Sequence, residues 1–206
     1  MRLIYKGIFK GVEQLPIGEL PEKAVKFKEA DSMESLTLYT YLYAILTMPV
    51  ISLFVAISFL FHGEINISFS MPGFSLGLVA PLITLIPHEL LHAVAFGKGA
   101  DVEMFISPKH LSMFVVSTTP ISKKRFIVNS LLPNLIFGWI PLVVWLLLPY
   151  TATLSAFLFW FSAASILMGS GDYYNIVNAL RQMPKNSMHQ HSGLNSYWFI
   201  PSKSND

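Results

Sequence analysis

Residues 74–96 read FSLGLVAPLITLIPHELLHAVAF. As a helix this stretch is long and apolar enough to cross a bilayer, which takes about 20 residues. It also contains His88-Glu89-Leu90-Leu91-His92, an H-E-x-x-H pattern. Positions i and i+4 of a helix share a face. Both imidazoles can therefore bind one Zn²⁺, with Glu89 close enough to polarise a zinc-bound water. From the chain's own His and Glu frequencies, a chance match over its length comes to well below roughly one per cent. Ionisable groups in an apolar helix are costly, about 2.5–3.5 kcal/mol for a charged one at mid-bilayer, so they point to function.

The rest of the chain is similarly apolar. Of its 206 residues 53% are hydrophobic and 13% charged, against about 25% charged in a soluble domain. Mean hydropathy is +0.53. This composition argues against a soluble domain. The formal net charge of +2 favours no particular partner. No basic face with interleaved aromatics is present, which argues against nucleic acid. There is no Cys, so any metal must be held by His, Asp or Glu. Residues 1–34 are polar and mixed in charge, without the apolar core of a cleavable signal peptide.

Four apolar stretches are long enough to span: about Leu36 to Phe61, Phe74 to Phe96, Phe126 to Leu148 and Ala152 to Leu180, the last more polar toward its end. Pro49, Pro87, Pro133 and Pro141 lie inside them. Membrane helices tolerate such residues where neighbours satisfy the carbonyls left over. Pro87, directly before His88, is placed either to open the helix at a metal or as an ordinary span proline. The basic residues are partitioned. Arg2 to Lys28 precede the first span, Lys98 to Arg125 separate spans two and three, and Arg181, Lys185 and Lys203 follow span four. By the positive-inside rule both termini and the second loop face the cytoplasm.

Between spans two and three, Met104–Ser107 and Met113–Thr119 carry β-branched and aromatic residues around a turn-prone Ser107-Pro108-Lys109-His110. This pattern predicts a β-hairpin on the cytoplasmic membrane surface. The polar segment from Gln182 ends in Tyr197-Trp198-Phe199-Ile200, a small strand or an interfacial anchor.

Catalytic zinc usually takes three protein ligands plus water. Candidates for the third are Asp172, Glu103, His110, His189 and His191. Asp172 is the only acidic residue in the fourth stretch, within Gly169-Ser170-Gly171-Asp172. At 1.5 Å per residue, His88 lies about 22 Å along its span and Asp172 about 31 Å along its own, both in the cytoplasmic half. His110 is the next choice, as a ligand or an oxyanion donor. Glu103 reads as a surface charge, and His189 and His191 as solvated tail residues. His62 falls across the membrane from the motif. Asn175 and Asn178 are candidates for orienting the ligands.

On these residues the chain resembles the membrane-embedded zincin peptidases, a bacterial and archaeal family similar in outline to the site-2 proteases. The shared pattern is His88-Glu89-Leu90-Leu91-His92 on one span and Gly169-Ser170-Gly171-Asp172 on a later one. The resemblance implies His88, His92 and Asp172 as zinc ligands, Glu89 as the catalytic residue and a site opening toward the cytoplasm. The chain departs from site-2 proteases in lacking a PDZ-like insert and an Asn- and Pro-rich approach to the aspartate, of which Pro133-Asn134 is an echo.

The expected fold is an all-α integral membrane bundle of about four transmembrane helices, with the small hairpin at about 100–122 on the cytoplasmic side. Its expected divisions are a cytoplasmic N-terminal segment (1–34), a four-span metallopeptidase domain (35–181) and a cytoplasmic tail (182–206). The expected function is a membrane zinc metalloprotease acting on a peptide or membrane protein, with the lipid bilayer as its other partner. Two rivals remain: a membrane zinc hydrolase of a non-protein amide or lipid-linked substrate, and a non-catalytic metal-binding membrane protein. A structural metal would not need Glu89.

Overall fold

The computed structural model describes residues 1–63, 70–110 and 112–201. About 60% of the described residues are helical. In order it forms β1 (Arg2–Ile8), β2 (Val25–Lys26), α1 (Met33–His62), α2 (Met71–Phe96), β3 (Asp101–Ser107), β4 (Ser112–Val116), β5 (Ile121–Ser122) and α3 (Lys123–Asn134). A π-helical turn (Leu135–Trp139) leads into α4 (Ile140–Leu147), followed by α5 (Ala152–Met168), α6 (Ser170–Gln182), β6 (Met188–Ser192) and β7 (Asn195–Phe199). The residues divide into two compact units. One comprises Met1–Leu36, Glu89–Ser130 and Asn175–Asp206; the other comprises Thr37–His88 and Leu131–Tyr174.

The second unit is helical. Its core is Ile51, Leu142, Trp145, Leu146, Phe159, Ala163 and Ile166. Gly73 and Gly77, one turn apart on α2, let that helix lie directly on α5. A Cβ would stand 2.3 Å from the Thr153 carbonyl oxygen at Gly73, and 2.8 Å from Trp160 Cβ at Gly77. Small residues spaced i, i+4 commonly permit such close helix contact in membranes. The π turn has a local cause. Pro141 has no N–H to give the carbonyl four residues back, so the ladder loosens just before it. Outward faces are apolar: Leu60 is 79% exposed and Ile83 71%. Contiguous exposure of this kind is rare on proteins surrounded by water.

Among the described residues, three helices are long and apolar enough to cross a membrane: Met33–His62, Met71–Phe96 and the continuous run Lys123–Leu147. The fourth expected stretch is two helices, α5 and α6, meeting at 50°, so the number is four only if that bent pair is one span. The bend falls at Gly169, where Ser170 turns its hydroxyl back onto the Leu167 carbonyl. Ser and Gly weaken a helix interior and favour its ends, which is why one apolar run yields two helices.

The first unit is a mixed structure around two small sheets. In one, β3 is central, parallel to β1 (Arg2↔Asp101, Tyr5↔Met104) and antiparallel to β4 (Phe105↔Phe114). The two β-rich runs expected to pair are therefore antiparallel strands, Asp101–Ser107 and Ser112–Val116. The pair is extended by a strand from the N-terminal segment, whose alternation is too slight to stand out. Phe9, Phe105 and Phe114 pack ring to ring under it, with centroids 5.2–5.9 Å apart. The other sheet runs β2-β7-β6-β5, all antiparallel. Tyr197–Phe199 thus belong to a strand.

His189 and His191 are not solvated tail residues. They project from β6, and His189 is 1% exposed, stacked on Phe126 at a centroid distance of 3.6 Å. A segment polar in composition is buried here because pairing in the sheet satisfies its backbone while the rings pack on aromatics. Burial holds His189 well below its ordinary pKa and pulls His191 down to about 4. Both are therefore neutral in the fold. Below pH 6.5 the unfolded chain binds protons that the folded one excludes, so stability is complete above that pH and falls as pH drops toward 4. The thermal midpoint in mild detergent should decline across this window, and less steeply in His189→Phe. An equal slope in the variant would refute the assignment.

Candidate functional site

The site begins with α2, which runs unbroken through Pro81 and Pro87. Pro87 has no N–H for the Ile83 carbonyl, yet the helix carries on to Phe96. His88 and His92 consequently lie on one face, with a ligand nitrogen of each within 4.8 Å of the other. Glu89, the next residue round from His88, is 7% exposed.

In the helical unit, His88 meets Asp172. Its Nε2 lies 3.4 Å from Asp172 Oδ2, and its ring lies over Phe137 with centroids 6.5 Å apart. Asp172 stands in the first turn of α6, where the helix dipole favours a carboxylate. Its Oδ2 accepts a 2.7 Å hydrogen bond from Asn134 Nδ2, which also reaches the Gly169 carbonyl at 3.3 Å. Asn134 is 1% exposed. The break at Gly169 and the asparagine at the end of α3 thus aim one carboxylate oxygen at the imidazole.

In the other unit, His92 Nδ1 lies 3.0 Å from both the backbone oxygen and the side-chain oxygen of Asn129. Two acceptors at one nitrogen mean that this nitrogen carries the proton, so Nε2 presents the lone pair that a metal would use. Glu89 Oε2 accepts a hydrogen bond from the Val115 backbone N–H at 3.1 Å. Val115 is on β4, the outer strand of its sheet, so this N–H is turned away from β3.

Imidazole nitrogens and carboxylate oxygens, the donors that His88, His92 and Asp172 offer, are of the kinds that suit zinc. A second nearby carboxylate with a proton-accepting oxygen suits hydrolysis. The other sequence candidates have different employments. Glu103 pairs with Lys6 at 3.2 Å across β1 and β3. His62 Nε2 bonds the Leu146 carbonyl oxygen at 3.0 Å. His189 and His191 belong to the second sheet. The side chain of His110 lies outside the described residues. Asn178 takes the Gln182 amide at 3.1 Å, near the end of α6. Among the described residues, Asn129 and Asn134 are the asparagines that hydrogen-bond the candidate ligands. Their signal in the sequence was two amides five apart in the helix that leads into the third apolar run.

A family model, DUF3267, with the description "Putative zincin peptidase", matches residues 81–188, just over half of the chain, a range that includes His88, Glu89, His92, Asn129, Asn134 and Asp172. No curated protein and no solved structure matches.

A Cβ on Gly169 would lie 1.8 Å from Asn134 Oδ1, whereas one on Gly171 would meet only Thr40 Oγ1 at 3.7 Å. Gly169→Ala should therefore lower the thermal midpoint by the equivalent of about 1–3 kcal/mol, the usual range for overpacking. Gly171→Ala should be neutral or stabilising by about 0.5–1 kcal/mol. Equal tolerance at both positions would contradict the close packing of Asn134 on Gly169.

Proposed function

Because the chain belongs to the DUF3267 zincin-peptidase family, we propose that it is a membrane-embedded zinc metalloprotease that hydrolyses peptide bonds of membrane or membrane-associated proteins. The observation that carries this reading is the 3.4 Å approach of Asp172 to His88, with His92 one helical turn further on. His88, His92 and Asp172 would hold the metal. The apolar helices Met33–His62, Met71–Phe96 and Lys123–Leu147 support membrane embedding. The distribution of Lys and Arg supports cytoplasmic termini and a site near the cytoplasmic side.

Zinc bound there supplies Lewis acidity and brings the ionisation of water toward about pH 7. The chain's residues do the rest. Asn129 fixes the proton of His92 on Nδ1 and Asn134 fixes the rotamer of Asp172, so neither ligand needs reorganising. Glu89 takes the proton of the attacking water and delivers it to the departing amine. A substrate strand adds to the outer edge of β4, about Met113–Thr119, where backbone groups other than the Val115 N–H, which Glu89 already holds, offer main-chain pairing. An extended peptide laid there has its backbone beside Glu89.

Purified protein should carry about one zinc per chain by elemental analysis, and His88→Ala, His92→Ala and Asp172→Ala should each abolish it while remaining folded. Asn129→Ala and Asn134→Ala should keep the site but weaken zinc affinity about 10- to 100-fold. Glu89→Gln should keep zinc and slow cleavage of a membrane-protein substrate by about 10²- to 10⁴-fold. Undiminished cleavage by zinc-loaded Glu89→Gln would overturn the assignment of the base.

A further inference from the structure

Away from that site, in the sheet-bearing unit, lies a cleft of about 350 Å³ lined by Lys123, Lys124, Ile127, Val128, Lys185 and Asn186. Three of its six lining residues are lysines and none is acidic. The two kinds of residue are sorted along α3. Lys123 and Lys124 open the helix, and Ile127 and Val128 follow one turn later. At 1.5 Å per residue, Val128 is about 7.5 Å from Lys123 along the axis. Val128 is 47% exposed. Beyond it the same helix continues into the apolar run ending at Leu147.

The cations are organised by the fold. Lys123 Nζ donates to the Met183 carbonyl oxygen, and the Lys123 backbone N–H donates to the Ser187 carbonyl oxygen at 3.0 Å. These bonds seat α3 on the 183–187 segment and bring Lys185 to the cleft. An ammonium has three donors, so Lys123 keeps two for a ligand. Arg125, the next cation along, is committed elsewhere, its Nε donating to the Ala95 carbonyl oxygen. Asn186, the other lining residue of this segment, adopts a left-handed conformation (φ 61°).

A cationic rim, an apolar floor one helical turn deeper and a helix leading on into a bilayer match one ligand class. We propose that this cleft binds the headgroup of an anionic phospholipid, its phosphate on Lys123, Lys124 and Lys185 and the start of its acyl chains on Ile127 and Val128. A free phosphate would use the lysines and ignore the apolar floor. The inference rests on the membrane part of the function proposed above. It does not depend on zinc or on proteolysis.

The test is native mass spectrometry of the full-length protein, extracted in detergent and titrated with phosphatidylglycerol or phosphatidylcholine. Wild type should retain one phosphatidylglycerol in preference to phosphatidylcholine. Lys124→Gln/Lys185→Gln, which leaves the Lys123–Met183 bond in place, should lose that preference by about tenfold or more. The corresponding double Arg variant should keep it, and zinc content should not change in either. Equal retention of the two lipids, or an undiminished preference in the Gln variant, would overturn the site. So would displacement of the lipid by millimolar inorganic phosphate, which would mark a site for free anions. Recovery of the chain in the soluble fraction without detergent would overturn the membrane reading, and the lipid site with it.

Discussion

A carboxylate among apolar helices must be given partners, because an unpaired charge there costs several kcal/mol. Asp172 has Asn134 Nδ2 at 2.7 Å and His88 Nε2 at 3.4 Å, and much of the helical unit is arranged to allow this. The break at Gly169 starts a new helix three residues before Asp172 and gives the carboxylate a favourable dipole. Gly169 has no side chain, so Asn134 can lie on its backbone. The π turn that begins directly after Asn134 shifts the register of the remaining span, so the asparagine and the packing residues of α4 need not obey one helical phase. Leu142 and Trp145 can then fill the core beside Phe159 and Ile166.

The parts of this arrangement legible in the sequence are those with a strong period or a rare residue. Three apolar runs became helices of nearly the expected extent, and Asp172 stood out as the one acid in its stretch. The hairpin could be read from two β-rich runs around Pro108. Less visible was whatever depends on partners distant in the chain. Nothing local marks Arg2–Ile8 as a strand, because its pairing is supplied by β3. Asn129 and Asn134 look like any span asparagine until His92 and Asp172 are beside them; Asn175 and Asn178 looked equally good. His189 seemed solvated because its neighbours are polar, but the sheet satisfies their backbones and leaves its ring to Phe126. The bend at Gly169 was hidden by hydropathy, which measures length and composition but not direction.

Glu89 joins the helical motif to the sheet. Its bond to the Val115 N–H uses a donor that an outer strand would otherwise offer to solvent or to another chain. The outermost strand of the sheet is in register with the acid, because the β3–β4 pairing of Met104 with Val115 fixes which N–H groups face outward. A slip of one residue would turn the Val115 N–H toward β3 and leave the carboxylate facing a side chain.

The parallel pairing of β1 with β3 has a consequence for biosynthesis. Arg2 and its partner Asp101 are 99 residues apart, with α1 and α2 between them. At about 5–20 residues per second, the first strand leaves the ribosome roughly 5–20 seconds before the strand it joins exists. For that interval it has no ladder to enter, and loop closure over two long helices must come first. Sheet assembly is therefore a late event that reports on the helices already made. Only a chain that has brought both ends of the α1–α2 segment together can add β1 to β3, so the β1 edge of the sheet closes after the β3–β4 pair that holds Glu89.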